Sequence, residues 1–406
     1  MWHTQEVRAG KAGREEEDFH MIVLAKAMFI LFAFLLFYTW MGYFALMWLA
    51  FHMRRRFWKK GCFATAEEEK GRPSVSVVIA ARNEEMTIRR RIENILRQSY
   101  AAEKVEVIVA SDGSTDRTVS EAESFADDRV RILAFPTNRG RATVHNESVR
   151  VASGDIVVFT DAETTFETSF LENIVTPFRN REVGAVVGRL VYENTDESGV
   201  TRSAEKYWGF ETRLRLYESS LGVLAFGSGA CCAFRRDLYT PIGEAEDIDT
   251  AGTLDIARSG RKVIFSPEAI AYDTIAVDVR KTMRNRIRHT SKAFLMIRSR
   301  LLSKGILSRP FLLLAILSHK TCRHMSPVFL LGSLLANIVA AGSGLGFKCS
   351  LVAQVAFYCT GIAGVLLNRR KNTPMLTTYC GNFLLFNLSQ IRALGAVLGR
   401  RVSATY

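Results

Sequence analysis

Hydrophobic and polar positions follow three regimes along this chain. Residues 27–51 are 25 consecutive positions without a charge (AMFILFAFLLFYTWMGYFALMWLAF). As a helix this run would be about 37 Å long, enough to cross a ~30 Å hydrocarbon core with some tilt. Residues 325–347 and 349–368 are uncharged over 23 and 20 positions, with only Lys348 between them. They read as a hairpin of two spans. Residues 372–390 are also uncharged but contain Thr, Asn, Gly and Pro, which leaves a fourth span or a re-entrant segment open. Residues 306–318 are too short to cross and are expected to lie in the interface as an amphipathic helix.

Between residues 57 and 304 the pattern changes to that of a water-soluble domain. SVSVVIA at 74–80 is a β-branched run that predicts a buried strand, 105–110 predicts a second and 156–160 another. RRRIENILRQ at 89–98 has helical apolar spacing. Strands alternating with helices predict a mainly parallel α/β sheet of Rossmann-like type, with ligands at the carboxyl ends of the strands. The predicted organisation is a tail (1–26), a membrane anchor (27–51), the α/β domain (57–304), an interfacial helix (305–324) and a C-terminal membrane region (325–406).

Composition narrows this picture. Of 406 residues, 48% are hydrophobic, and the mean hydropathy is +0.06. That apolar content excludes a disordered chain. Seven cysteines, an odd number without a repeated spacing, exclude a disulfide scaffold. The 54 Lys and Arg against 41 Asp and Glu give a formal charge of +13. This charge does not point to nucleic acid, because the basic clusters flank the apolar runs: Arg54-Arg55-Arg56 with Lys59-Lys60, and Arg369-Arg370-Lys371. That is the positive-inside arrangement, and it predicts a retained anchor with the α/β domain in the cytosol. A cleaved signal peptide has a shorter apolar stretch. Arg392, Arg400 and Arg401 favour a cytosolic C-terminus.

The chemistry-bearing residues fall at the predicted strand ends. The first strand runs into Arg82-Asn83-Glu84-Glu85, the second into Asp112-Gly113-Ser114-Thr115-Asp116. Each alone is ordinary turn or helix-start chemistry. Together they place Glu84 and Asp112 where a nucleotide's base and ribose could be hydrogen-bonded. Asn138-Arg139-Gly140-Arg141 precedes a helix, and guanidiniums at a helix N-terminus suit a diphosphate, although a solvated basic turn reads the same way. Asp161-Ala162-Glu163 follows a buried strand, so its two carboxylates project from one face and can hold a hard divalent cation. Gly227-Ser228-Gly229 allows close approach of a ligand, or is a bend in a strand. Cys231 and Cys232 read as buried small residues on opposite faces. Glu246-Asp247-Ile248-Asp249 opens a helix running to Ser259 before Gly260; it holds either a capping acid or a general base. Asn285, Arg286, Arg288 and His289 lie on a basic helix, suited to lipid phosphate or to a ligand.

The ordered set of motifs over residues 74–300 resembles the membrane-anchored family 2 glycosyltransferases with the GT-A fold, a group that includes cellulose, hyaluronan and chitin synthases and dolichyl-phosphate-sugar synthases. The segment from Ser318 to Pro327 is similar as well. The resemblance implies that Glu84 and Asp112 contact the nucleoside. It places Asp161 and Glu163 at the Asp-x-Asp position that binds Mg²⁺ or Mn²⁺ with the donor diphosphate, and Arg141 at a donor-binding lysine position. Asp247, beside Glu246, stands at the position of the base. Asn285, Arg288 and His289 stand over the Gln-x-x-Arg-Trp motif of processive synthases, with Arg286 able to help hold the diphosphate. Gly227 and Gly229 would face the acceptor. Three departures are visible. Glu163 replaces an aspartate, Asn285 and His289 replace Gln and Trp, and the interval from Glu246 to Gly260 is about two residues long, which leaves Asp249 open as the base.

The resemblance implies an inverting, metal-dependent transferase. It would move a sugar from a nucleotide donor, UDP favoured over GDP, to a glycan or lipid acceptor at the plasma (inner) membrane, as an oligomer or with an export partner if the product is extruded. A single-sugar polyprenyl-phosphate transferase, a nucleotidyltransferase and a non-catalytic sugar-nucleotide sensor remain as alternatives, and nucleic acid is not expected as a partner.

Overall fold

The computed structural model describes residues 2–57, 71–195, 199–274, 279–301, 303–367 and 374–399. Lys59-Lys60, Arg369-Arg370-Lys371, Arg400 and Arg401, on which part of the topology expectation rests, lie outside the described residues. The chain divides into two compact units, residues 1–45 with 318–391 and residues 46–317 with 392–406.

The chain opens with α1 (Trp2–Phe37), a π-helical turn at Tyr38–Gly42 and α2 (Tyr43–Phe57). The α/β unit then contains β1 (Val75–Ala81), α3 (Ile88–Leu96), β2 (Val105–Asp112), α4 (Thr118–Glu123), β3 (Val130–Phe135), α5 (Arg141–Val151), β4 (Ile156–Asp161), β5 (Thr165–Phe166), α6 (Phe170–Val175), β6 (Val183–Tyr192), α7 (Gly199–Leu221), β7 (Cys232–Arg235), α8 (Ile248–Ser259), β8 (Lys262–Asp273), α9 (Val279–Arg300), α10 (Lys304–Leu307) and α11 (Pro310–Ile316). The strands form one sheet in the order β3-β2-β1-β4-β7-β6-β8-β5. β1, β2, β3 and β4 are parallel neighbours, as are β6 and β8. β7 runs antiparallel to both β4 and β6, and β5 to β8. The sheet is therefore mixed, and the local pattern gave no sign of the reversed β7.

Alternation along the strands builds two cores. Val75, Val77 and Ile79 pack on one face with Ile88, Ile92 and Ile95 of α3 and Phe170 of α6. Val78 and Phe159 pack on the other with Ala142 of α5 and Ala251 and Leu254 of α8. Covering both faces is what makes the central strands apolar at nearly every position. Cys231 and Cys232 fall into opposite cores, as period-2 alternation requires, and burial pushes the Cys231 thiol up to about 12. The helix expected at 246–259 begins at Ile248 and ends where Gly260 takes a left-handed φ of 98°.

The helical unit contains α12 (Cys322–Ala340), α13 (Leu345–Leu367) and α14 (Met375–Leu398) besides α1. Among the described residues, three helical runs are long and apolar enough to cross a membrane: Glu16–Arg56, Pro310–Ser343 and Leu345–Leu367. Two boundaries differ from the sequence reading. The first helix runs from Trp2 through the expected tail without a break. The expected interfacial segment continues from α11 through a π turn at Leu317–Thr321 into α12, while Ile306, Leu312 and Ile316 bury themselves in the α/β core. α14 is one continuous helix and is not among the three apolar runs. α13 and α14 cross closely at Gly364 and Gly381: a Cβ on Gly364 would collide with the Thr377 backbone and one on Gly381 with the Gly364 backbone, a small-residue crossing typical of membrane helices. Ser326 donates to Asn387 at 2.6 Å, and Asn337 bonds Ser350 and Gln354, so these buried polar groups are satisfied within the helix bundle.

Candidate active site

The loops after β1 and β2 are laced together. The backbone N–H of Thr115 donates to Asn83 Oδ1 at 2.9 Å, and that of Glu85 to Asp116 Oδ2 at 3.1 Å. Thr87 donates to Glu84 Oε2 at 2.7 Å. Asp112 is buried, and its two oxygens accept from the N–H groups of Arg139 (2.6 Å) and Gly140 (3.1 Å). It thus holds the turn that launches α5. Gly113 has φ +66°, and a Cβ there would lie 2.5 Å from the Asn138 nitrogen; only glycine permits that approach. The expected nucleoside-facing residues thus also fix the loops around them.

A cavity of ≈ 200 Å³ opens at the start of α5 and the ends of β4, β6 and β8. At one end Arg141, the first residue of α5, forms an ion pair with Asp161, the last residue of β4. Glu163 is exposed two residues on. At the other end Asp247 precedes α8. Its Oδ2 lies 3.0 Å from His289 Nδ1 and its Oδ1 accepts from Lys292 Nζ at 2.8 Å. Burial alone would raise the Asp247 carboxyl, but His289 and Lys292 outweigh it and hold the group far below the usual carboxylate range. Asp249 lines the cavity between these ends; a Cβ on Gly229 would meet the Arg141 guanidinium at 3.7 Å and the Asp249 carboxyl carbon at 3.8 Å.

The sequence-nominated residues separate on this geometry. Arg141, Asp161, Gly229, Glu246, Asp247, Asp249 and His289 line the cavity together. Gly227 lies beneath it, its N–H donating to the Asp249 carbonyl at 2.7 Å. Glu246 faces a second cation, since Arg300 donates to both its oxygens and to Asp255. Despite burial, which acts the other way, these bonds hold its carboxyl below the ordinary value. Asn285, Arg286 and Arg288 share α9 with His289 but are not in the cavity wall. Arg286 is half-buried near Tyr207, and its partial burial lowers its basicity.

Four wall residues carried no signal in the sequence reading. Asp273 ends β8, where burial, reinforced by the nearby Glu163 charge, pushes its carboxyl up to about 6. His145, one turn beyond Arg141, is buried, 1% exposed, and its ring lies tilted against that of Phe159 with centroids 4.8 Å apart. Neither of its ring nitrogens has a hydrogen-bond partner. Burial first, then Arg141, hold its imidazole well below the usual value, so it is neutral. Tyr192 and Trp208 form an aromatic wall with centroids 5.5 Å apart. A strand end reached only through β8, a histidine at an ordinary helix position and an aromatic pair joined across α7 have no local signature.

The carboxylates suit a divalent cation. Asp161, Glu163 and Asp273 offer hard oxygen donors, and Glu163 lies near enough to Asp273 to add to the burial that raises its carboxyl. Among the described residues no three His, Cys, Asp or Glu side chains form a ready-made metal cage, so a cation there would need further ligands from a bound molecule.

Fold and cavity define a Rossmann-like domain of the GT-A type, with its polar residues gathered at strand ends. Residues 76–243 match the family model "Glycosyl transferase family 2", so the chain carries a family 2 glycosyltransferase domain. It is 25% identical over 313 residues to an N-acetylglucosaminyltransferase of Mesorhizobium japonicum, with 72% of each chain covered. It is 28% identical over 222 residues to a probable glycosyltransferase of Bacillus subtilis, covering 51% of this chain and 52% of that one. Among solved structures, a mannosyltransferase of Pyrobaculum calidifontis, in complex with GDP-Man and Mn²⁺, is similar at TM-score 0.68 and 24% identity, over 93% of this chain and 99% of the other.

Proposed function

We propose that this protein is an inverting glycosyltransferase of the membrane surface, moving a sugar from a nucleoside-diphosphate donor to a membrane-associated glycan or lipid acceptor. The observation that carries this reading is the division of one cavity into a phosphate-suited end (Arg141, Asp161) and a proton-accepting end (Asp247, Asp249, His289). The nucleoside would lie over the loops of Glu84 and Asp112, with Arg141 at the N-terminus of α5 turning from Asp161 to the diphosphate. Asp161 and Glu163 would hold Mg²⁺ or Mn²⁺, which when bound neutralises charge on the departing diphosphate. The relatives' N-acetylglucosaminyl activity favours UDP, while the mannosyltransferase complex keeps GDP in view.

The transferred sugar would occupy the cavity, with Gly229 permitting close approach. Tyr192 and Trp208 give an acceptor ring a flat apolar wall, in the role that the missing Trp of the last motif would otherwise fill. The acceptor hydroxyl, losing its proton to the acidic end, would attack the anomeric carbon opposite the diphosphate. Arg54, Arg55 and Arg56 close the first membrane run and favour a cytosolic domain at the plasma (inner) membrane.

The test is nucleoside diphosphate release by the full chain in lipid nanodiscs, with UDP- and GDP-sugars and Mg²⁺ or Mn²⁺. The expected result is turnover with one donor, abolished by Asp161→Asn and by Asp247→Asn. Release that survives both substitutions would overturn the reading.

A further inference from the structure

The proposed chemistry leaves His145 without a task. It lines the cavity yet is only 1% exposed, and neither ring nitrogen has a hydrogen-bond partner among the described residues. Both nitrogens have given up water and gained nothing in return, which is a cost to the ligand-free protein. Buried polar groups in that condition are uncommon. A leucine or phenylalanine would fill the space beside Phe159, whose ring centroid is 4.8 Å away, without that cost. A ligand that pairs with the imidazole recovers part of the loss.

The place of the ring limits what that ligand is. His145 follows Arg141, the first residue of α5, by four positions, so both lie on one face of the helix, about 6 Å apart along its axis. The charges that act on the imidazole are those of Arg141, Asp247 and Lys292. These belong to the two ends of the cavity, and the ring is within electrostatic reach of both. A sugar passing from diphosphate to acceptor occupies the stretch between those ends. Burial first, then the Arg141 charge, keep the ring neutral. A neutral imidazole carries one N–H and one bare nitrogen. A hydroxyl both donates and accepts, so it pairs with either nitrogen in either tautomer, whereas a phosphate oxygen needs the N–H and a metal ion needs the bare nitrogen. Among the described residues His145 belongs to no group of three metal-ligating side chains.

Resting on the glycosyltransferase reading above, we propose that His145 is a specificity-determining residue, its imidazole hydrogen-bonding a ring hydroxyl of the transferred hexose and so selecting the donor. A donor lacking that hydroxyl leaves the nitrogen stranded in the wall instead of returning it to water. A site built this way rejects the deoxy analogue more strongly than an apolar pocket does. N-acetylglucosamine and mannose share free hydroxyls at C3, C4 and C6, and one of these three is the group read.

The experiment measures kcat/KM for the full chain in nanodiscs, wild type against His145→Leu. The donors are UDP-N-acetylglucosamine or GDP-mannose, whichever turns over, and its 3-, 4- and 6-deoxy analogues. Wild type is expected to reject one of the three analogues by about 100-fold and the others by much less. In His145→Leu that one ratio is expected to shrink about 10-fold, because the parent donor loses the contact and the analogue has none to lose. The other two ratios are expected to stay as in wild type. Ki for UDP or GDP is expected to stay within about twofold, and the ligand-free variant to melt no lower than wild type, since an unpartnered imidazole has been removed. Should His145→Leu fail to fold, His145→Phe, which keeps an aromatic ring against Phe159, takes its place. Three unchanged ratios would overturn the role and leave His145 as core packing, as would a loss spread evenly over the parent donor and all analogues. A wild type that turns over neither donor and binds neither UDP nor GDP would overturn the parent reading and this role with it.

Discussion

The two ends of the cavity each hold a carboxylate against a cation, yet the pairs differ in kind. At the proposed donor end Arg141 and Asp161 are partly exposed, and each would have a better partner in the proposed nucleotide complex: the diphosphate for one, a cation for the other. That pair is a resting contact that binding would exchange. At the acceptor end Asp247 is held between buried Lys292 and more exposed His289, and nothing in the proposed chemistry displaces it. Glu246, one residue away, is bonded by Arg300 on both oxygens. An ion pair thus marks a ligand site or an orienting device according to what can replace it and which partner faces the cavity.

The largest expected effect sharpens this contrast. Asp247→Asn is expected to lower kcat by about 1,000-fold while leaving UDP or GDP binding within a few fold; calorimetry beside turnover measures both. Asp161→Asn is expected to do the reverse in part, losing about 100-fold in kcat/KM together with the metal dependence of nucleotide binding. An Asp247 variant that lost nucleotide binding would erase the distinction between the ends. His145→Leu is expected to lower donor kcat/KM about 10-fold without weakening UDP or GDP, because its imidazole lines the cavity in which the sugar would sit; KM for donor against Ki for the nucleoside diphosphate reads this. Glu246→Gln is expected to cost about 1–3 kcal/mol of stability by leaving Arg300 with Asp255 alone, seen as a lower denaturation midpoint with the chemistry retained.

The smallest effect concerns pH. Asp273 has its carboxyl raised to about 6 in the fold, above the unfolded value of ~3.9. The folded state then binds the proton more tightly, so this group's contribution to stability falls as pH rises from about 4 through 6. Asp273→Asn is expected to melt higher than wild type at pH 7.5 and to match it below pH 4.

The parallel half of the sheet was legible because each strand is a β-branched run ending in its polar motif. β1, β2 and β4 appear within a residue or two of the expected ranges, and α8 ends at Gly260 as its sequence indicates. Arg141 at the start of α5 and Asp161 at the end of β4 were nominated from their local motifs, and the structure brings them together. The acceptor end was legible only in part. Asp247 was visible, but its coupling to His289 and Lys292 joins residues more than 40 positions apart across two helices. The same holds for Arg300 with Glu246 and for Asp273 at the far strand. Strand reversal at β7 and the continuous α11–α12 run also depend on tertiary packing: the first on which neighbours the strand meets, the second on Ile306, Leu312 and Ile316 entering the core.

The central claim is displacement at the anomeric carbon by an acceptor activated on the face opposite the diphosphate. Proton NMR of the product's anomeric centre, formed by the full chain in nanodiscs from an α-linked nucleotide sugar, tests it most directly. The account predicts a β-glycoside. An α-glycoside from that donor would contradict it.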